Sequence, residues 1–174
     1  MNITSTGDEY LIRRGKPQDL MAYLMACQKS AYKTYSGPSR DLFAEIHYFH
    51  PTIMAYWMSL AQNNGSKHWW VAELHAPQKQ IVGGIGLRIG DDHSQGYGFY
   101  VTPERQSQGI GRSLWLARQE FIRGPLLFEV YSQAVGTIAQ HLKHGARLTG
   151  NQRLIHWESW PQGVSLNALE FIAS

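Results

Sequence analysis

A glycine-containing segment between an apolar run and a helical pattern is the part of the chain best suited to bind an anion. The segment is Gln106-Ser107-Gln108-Gly109-Ile110-Gly111-Arg112. The apolar run at 97–101 predicts a strand, and apolar residues recur at helical spacing after the segment. A strand that turns into a helix through glycines directs several backbone N–H groups at one point, where the helix dipole adds about half a positive charge. The pattern therefore predicts a site for a phosphate-bearing ligand.

Two familiar phosphate loops do not fit this segment. A dinucleotide-binding loop needs a third glycine three residues after Gly111, where Leu114 stands, and a Walker A loop needs a lysine where Arg112 stands. What remains is Gln-x-x-Gly-x-Gly directly after Val101-Thr102-Pro103-Glu104. This combination, with a strand before it and a helix after it, resembles the acyl-CoA loop of the GNAT N-acetyltransferase superfamily.

The resemblance implies a binding site for acetyl-CoA as co-substrate. In that superfamily the pantetheine arm pairs with the strand before the loop, which here places it along Phe99, Tyr100 and Val101. The loop that would wrap the pyrophosphate consists of Gln106, Ser107, Gln108, Gly109, Ile110 and Gly111. Arg112 and Ser113 would contact the phosphates where the helix begins, and the N–H of Val101 would polarise the thioester carbonyl.

Glu129, in the next predicted strand, is the candidate general base. One branch of the superfamily has a glutamate at this place, which takes a proton from the attacking amine, often through water. A carboxylate part-buried between strands can have a raised pKa, which would suit this role near neutral pH. The alternative is a strand residue at the surface that is paired with a lysine or arginine, and the residues alone leave both interpretations open.

His141 stands where the superfamily usually has its general acid, a tyrosine four residues before the glycine that ends the next helix. That glycine is Gly145 in this chain. Histidine has an ordinary pKa of about 6.5 and is mostly neutral at pH 8, while a thiolate with a pKa near ~8.5 can leave unaided. His141 is therefore a candidate to orient or hydrogen-bond the thiolate, or else a residue of the helix surface.

Other chemistry-bearing residues favour structural interpretations. His47 and His50 have a spacing found in metal sites, but no third ligand is placed, acetyl transfer needs no metal, and none is expected. Cys27, the single cysteine, shares a helical stripe of core type with other apolar residues. Asp91, Asp92 and His93 are typical turn residues.

Length and composition limit the class of protein. A chain of 174 residues with 43% hydrophobic residues predicts a single domain over 1–174. No run approaches the ~18 apolar residues of a membrane span, and the polar start at 2–6 lacks the features of a signal peptide, so we expect a cytoplasmic protein without membrane contact. The 16 basic residues give a net charge of +3 but form no cluster, which argues against nucleic acid.

The predicted order is strand, helices, three strands, helix, strand, helix and two strands. This order resembles the GNAT fold from end to end, and so implies an α/β (α+β) fold with a mixed, mostly antiparallel central sheet flanked by helices. The predicted strands are 9–14, 69–74, 81–87, 97–101, 126–130, 153–157 and 166–172. The predicted helices are 17–35, one or two within 41–58, one from 110 and 135–145, with a break at 36–39, a turn at 63–65 and a connection at 76–78.

These observations predict an N-acetyltransferase that moves an acetyl group directly from acetyl-CoA to a primary amine. The acceptor is a small molecule or a peptide, and its identity, like a homodimeric state, stays open. The aromatic-rich segment from Tyr32 to Trp70 is expected to supply mostly core residues, with some lining the acceptor side. The alternative function is a GNAT-like module that binds acyl-CoA without turnover.

Overall fold

The computed structural model describes residues 2–5, 7–62, 65–75 and 79–173, and gives the backbone alone at positions 45 and 46. Positions 63 and 64 of the predicted turn, and the whole predicted connection at 76–78, lie outside the described residues. Among the described residues, no helix is long and apolar enough to cross a membrane.

In the part of the chain that the structure describes, eight strands form one sheet in the order β1-β2-β3-β4-β5-β6-β8-β7. They are β1 (Asn2–Ile3), β2 (Glu9–Arg14), β3 (Lys67–Leu74), β4 (Gln80–Ile89), β5 (Ser94–Val101), β6 (Leu126–Tyr131), β7 (Arg147–Ile155) and β8 (Leu166–Ala173). Of the pairs between these strands, β5 with β6 is parallel and the others are antiparallel. The predicted mixed, mostly antiparallel sheet is therefore confirmed.

The described ranges also contain five α-helices: α1 (Leu20–Thr34), α2 (Gly37–Asp41), α3 (Pro51–Leu60), α4 (Ile110–Gln119) and α5 (Val135–Lys143). A π-helical segment, Leu42–His47, joins α2 towards α3. The α1 stripe is buried as predicted, and Cys27 within it has an exposed fraction of 0%. Most of the aromatic residues from Tyr32 to Trp70 are also buried, but Tyr32 and Tyr56 are 48% and 43% exposed.

Three elements differ from the sequence-based prediction. Asn2–Ile3, within the polar start of the chain, form β1, because they pair with the edge of β2 although the segment has no strand pattern. A break was predicted at 36–39, but α2 begins there at Gly37. Pro38 is tolerated because a residue in the first turn of a helix donates no intrahelical hydrogen bond. Strand β7 begins at Arg147 rather than 153, and because it is an exposed edge strand no apolar alternation marks its start.

The two faces of the sheet carry different helices. A Cβ on Gly96 would meet Arg118 of α4, whereas the next residue, Tyr97, lies against Trp57 of α3 at a ring distance of 6.0 Å. Phe128 is paired with Gly96 and contacts α5, so α4 and α5 share one face. Because side chains alternate along a strand, Glu129 lies on the opposite face, which carries α3.

The parallel strands β5 and β6 separate after three paired residues. Ser94–Gly96 pair with Leu126–Phe128, and beyond this point β5 continues along β4 while β6 continues along β8. A β-bulge between Tyr97 and Tyr100 bends β5 at the point of separation. Gly98 within the bulge has φ +56°, and its carbonyl accepts a hydrogen bond from the Tyr23 hydroxyl of α1. The sheet thus contains a gap between β5 and β6.

Candidate functional site

The predicted phosphate loop lies at the open end of this gap. Gly109 is the N-cap of α4 and has a left-handed backbone with φ +88°. The Ser113 N–H donates to the Gly109 carbonyl at 3.0 Å, so the N–H groups of Ile110, Gly111 and Arg112 precede the first intrahelical hydrogen bond. Arg112 is exposed beside them. Three backbone donors are therefore free at a helix N-terminus, with an exposed arginine in the same turn, as an anion site requires.

Glycine occupies positions 109 and 111 of the loop for different structural reasons. Gly109 needs glycine because its φ is left-handed. At Gly111 a Cβ would meet nothing nearer than the Phe99 ring at 3.5 Å, and its φ is not in the left-handed region. Neither backbone nor packing explains glycine at position 111. Close approach of a ligand to the helix N-terminus does explain it, because a Cβ would stand beside the free N–H groups.

Side chains from three other elements hold the loop. The Gln106 side-chain amide donates to the Val101 carbonyl at 3.1 Å, and its oxygen accepts from Lys33 of α1 at 3.3 Å. The hydroxyls of Tyr10 in β2 and Ser113 in α4 are hydrogen-bonded at 2.8 Å. The shape of the loop is thus fixed by the protein itself.

The backbone of Val101 faces the gap. The N–H of Thr102 donates to the Val82 carbonyl in β4 at 2.8 Å. In an antiparallel ladder successive residues direct their N–H and C=O groups to opposite sides, so the N–H of Val101 is directed away from β4 and towards β6. It is a donor on the exposed edge of β5, where an extended ligand chain could pair as an added strand.

Glu129 lies on the β6 side of the gap and is paired with Arg153 of β7. The guanidinium donates to both carboxylate oxygens, from Nη2 to Oε2 at 2.6 Å and from Nε to Oε1. The hydrogen bond that Arg153 donates to Glu129 raises the pKa of Arg153. The structural alternative considered for Glu129, an ion pair with an arginine, is therefore present, and its role as a base stays a prediction.

His141 lies in α5, four residues before Gly145, but on the sheet face opposite Glu129. Its ring packs on Phe128 at 4.6 Å and on Phe171 at 6.0 Å. Burial, followed by the charge of Arg118, lowers the pKa of His141 to about 4. The imidazole is therefore neutral at physiological pH and is a weak proton donor.

Arg118 is a buried residue that sequence reasoning missed. It is 2% exposed, and among the described residues its Nε and Nη2 have no hydrogen-bond partner. Its guanidinium lies over the Trp115 ring at 4.3 Å, and burial lowers the pKa of Arg118 to about 10. The sequence feature that could have predicted its burial is its position four residues after Leu114, on the same apolar stripe of the helix.

Aromatic side chains surround Glu129 on the α3 face. The Trp157 indole N–H donates to the Tyr131 hydroxyl at 2.9 Å, and the Trp157 ring lies 5.6 Å from that of Tyr56. Burial raises the pKa of Tyr56, and the charges of Arg88 and Glu129 act on the same hydroxyl. Tyr131 and Trp157 were also missed, since neither lies in the aromatic-rich segment that the sequence emphasised.

His47 and His50 both have structural contacts. Trp160 donates its indole N–H to Nδ1 of His47 at 3.2 Å, and burial lowers the pKa of His47 to about 4. His50 caps α3 by accepting from the Thr52 N–H at 3.3 Å. Within the described part of the chain, no group of three histidine, cysteine or acidic residues is placed to hold a metal ion.

Comparison with known proteins finds a family that matches part of the chain and solved structures that share its fold. Residues 65–148 match the family described as acetyltransferase (GNAT) domain. No curated protein matches the sequence. The N-acetyltransferase PaiA of Thermoplasma acidophilum, solved in complex with coenzyme A, is 18% identical with a TM-score of 0.66, over 93% of this chain and 98% of that one.

Two further solved structures share the fold. A GCN5-related N-acetyltransferase from Rhodopseudomonas palustris is 18% identical with a TM-score of 0.70, over 100% of this chain and 99% of that one. The ribosomal-protein-S18-alanine N-acetyltransferase of Escherichia coli is 15% identical with a TM-score of 0.62, over 94% and 92%. The resemblance inferred from the loop, and the fold that it implied, are confirmed.

Proposed function

We propose that this chain, which carries a GNAT acetyltransferase domain at residues 65–148, transfers an acetyl group from acetyl-CoA directly to a primary amine. The observation that supports this most directly is Gly111, whose missing Cβ leaves the N–H groups at the start of α4 open to a ligand. The coenzyme A bound in the PaiA structure supports the same ligand class. Acetyl-CoA supplies the activated thioester.

The loop and β5 hold the co-substrate. The N–H groups of Ile110, Gly111 and Arg112 donate to the pyrophosphate, and the Arg112 guanidinium adds charge. The Val101 N–H donates to the pantetheine–thioester chain lying in the gap, because this N–H faces away from β4. These contacts fix the thioester near the point where β5 and β6 separate, so that two reactants meet at high effective concentration.

Glu129 accepts the proton of the attacking amine, directly or through a water. A carboxylate has about four lone-pair sites, and the Arg153 ion pair occupies one on each oxygen. Both oxygens therefore keep a site that can take a proton. Arg153 holds the carboxylate in one orientation among the acceptor-side aromatic residues.

No general acid is needed in this proposal. A thiolate with an ordinary pKa near ~8.5 is a tolerable leaving group, and the neutral His141 is half-buried against the rings of Phe128 and Phe171. We assign His141 a positioning role. The acid that the superfamily usually supplies by tyrosine is then replaced by solvent, which protonates the departing thiolate.

The test measures thiol release from acetyl-CoA against a panel of primary amines. Release above the hydrolysis rate with any amine supports the proposal. Stabilisation by CoA without acceptor-dependent release would instead establish a module that binds acyl-CoA without turnover.

The base is tested with pH profiles of kcat/KM. Glu129→Gln should lower kcat/KM by about 10²–10⁴ and remove or shift the limb on which kcat/KM rises with pH, because the amide cannot accept a proton. Glu170→Gln is the matched control, since Glu170 is paired with Glu129 across the sheet but bonds Thr149 and Asn151. A near-normal Glu129→Gln together with a hundredfold loss in His141→Phe would reverse the assignment. Acceptors of differing amine pKa separate the enzyme's titration from the substrate's.

A further inference from the structure

Three polar side chains form a row across the α3 face of the sheet. Lys67 of β3 is directly opposite Arg88 of β4, which in turn is opposite Gln95 of β5. Like charges directly opposite each other on neighbouring strands destabilise a sheet. Neither cation forms an ion pair among the described residues, and Lys67 has only a 3.4 Å contact with the Ser59 carbonyl. The fold thus retains a repulsion that an anion would relieve.

A cavity of about 180 Å³ lies over this row. Lys67, Arg88 and Gln95 line it together with Tyr56 and Tyr97, and none of the described residues that line it is acidic. Its volume corresponds to about six water molecules at ~30 Å³ each. It therefore fits a small charged group and is too small for a drug-sized ligand.

The cavity is close to the candidate base. Gln95 is paired with Leu127 of β6, and Glu129 lies two residues further along the same face, about 7 Å away in the strand direction. Tyr56 connects the two places, because it lines the cavity and its hydroxyl is acted on by both Arg88 and Glu129. A molecule with one end in the cavity can therefore present its other end to Glu129.

We infer that this cavity binds an anionic group, a carboxylate or a phosphate, on the amine that the protein acetylates. The inference rests on the proposed N-acetyltransferase function. A guanidinium binds a carboxylate or phosphate through paired charge-assisted hydrogen bonds, and Lys67 adds a second cation. Polyamines are poor acceptors on this account, because a second ammonium group would lie beside two positive charges.

The experiment compares amines that differ only in the distal group. The ω-amino acids from glycine to 6-aminohexanoate are paired with the alkylamines of the same length, phosphoethanolamine is paired with ethanolamine, and spermidine represents polyamines. The anionic member of each pair should have a kcat/KM at least about tenfold higher than the neutral member. The longer ω-amino acids should have the highest kcat/KM, because the carboxylate must reach the cavity while the amine lies at Glu129. The phosphate pair distinguishes the two anion sources.

Variants locate the effect. Arg88→Gln and Lys67→Gln should each raise the KM of the preferred anionic amine about tenfold while leaving the KM of its neutral partner and of acetyl-CoA unchanged. Lys143→Gln, an exposed cation in the last turn of α5, is the matched control. Neither cavity variant should lower the Tm, because each removes one member of the like-charge pair.

The outcomes separate the inference from the function on which it rests. If amines are acetylated but neutral and anionic partners react equally in both the wild type and Arg88→Gln, the anion site is refuted and the transferase remains. If no amine of any charge is acetylated, the transferase proposal itself fails. In that case stabilisation by 6-aminohexanoate in the presence of CoA, lost in Arg88→Gln, would still support the cavity as an anion site, and its absence would overturn it.

Discussion

Replacing Gly109 by glutamate tests the phosphate site most directly. Its left-handed backbone, with φ +88°, would strain any other residue by about 1–2 kcal/mol. The nearest atom to an added Cβ is the Tyr10 hydroxyl at 3.8 Å, so no steric clash is expected. For a domain of this size the strain lowers the Tm by roughly 2–8 °C. The variant should therefore fold.

The carboxylate should also weaken acetyl-CoA binding, because it places a negative charge beside the phosphates. Two unit charges 4 Å apart repel by about 4 kcal/mol at an effective dielectric constant of 20. Because Gly109 is exposed to solvent, which screens the charges, we expect about half of this repulsion energy. That energy corresponds to roughly a 30-fold increase in the Kd for acetyl-CoA. Isothermal titration calorimetry at low and moderate salt measures the change, and added salt should reduce it.

Two control variants separate strain from charge. Gly150→Glu introduces the same residue at φ +91°, with no atom within 4 Å of the new Cβ, in β7 away from the loop. It should share the loss of Tm and keep the wild-type Kd. Gly109→Ala has the strain without the charge and should change Kd only a few-fold. A folded Gly109→Glu protein with unchanged affinity would refute the placement of the pyrophosphate at α4.

Three further predictions concern single side chains. Arg112→Ala should raise the KM for acetyl-CoA more than it lowers kcat, because a phosphate contact is the same in ground and transition states; a fall in kcat alone would contradict this. Arg118→Met should stabilise the ligand-free protein by about 1–3 kcal/mol in urea unfolding, because it removes a buried guanidinium with two unpaired nitrogens, and destabilisation would indicate that Arg118 has a partner. His47 should lower the stability by about 2 kcal/mol from pH 7 to pH 5, because the unfolded state protonates it at its ordinary pKa while the folded pKa is about 4. His141 acts in the same direction, so urea unfolding of His47→Gln should show a shallower slope that is not flat.

The parts of the site that the sequence predicted are those encoded locally. The residues from Gln106 to Ser113 are contiguous, and glycine spacing, a preceding strand and a helical stripe together define one geometry. Glu129 and His141 were identified by their order in the resembled superfamily. The structure places both near the gap, on opposite faces of the sheet, a separation that follows from the strand alternation at Phe128 and Glu129.

The parts that the sequence did not predict depend on pairing between distant residues. Arg153 is 24 positions from Glu129, and only the register of β6, β8 and β7 brings the two together. The row of Lys67, Arg88 and Gln95 likewise exists only through cross-strand register. The alternation of side chains within a strand predicts which residues share a face, but not which strand lies beside it. Contacts between distant residues therefore cannot be predicted from periodicity.

The burial of Cys27 makes the folded protein unreactive towards thiol reagents. It is the only cysteine in the sequence, it has an exposed fraction of 0%, and burial raises the pKa of its thiol, so the native chain offers no thiolate. A colorimetric thiol reagent such as Ellman's would therefore react with released CoA and not with the folded protein. Any slow signal from the protein alone would measure the fraction that has unfolded, so a single assay would report both the proposed thiol release and the integrity of the fold.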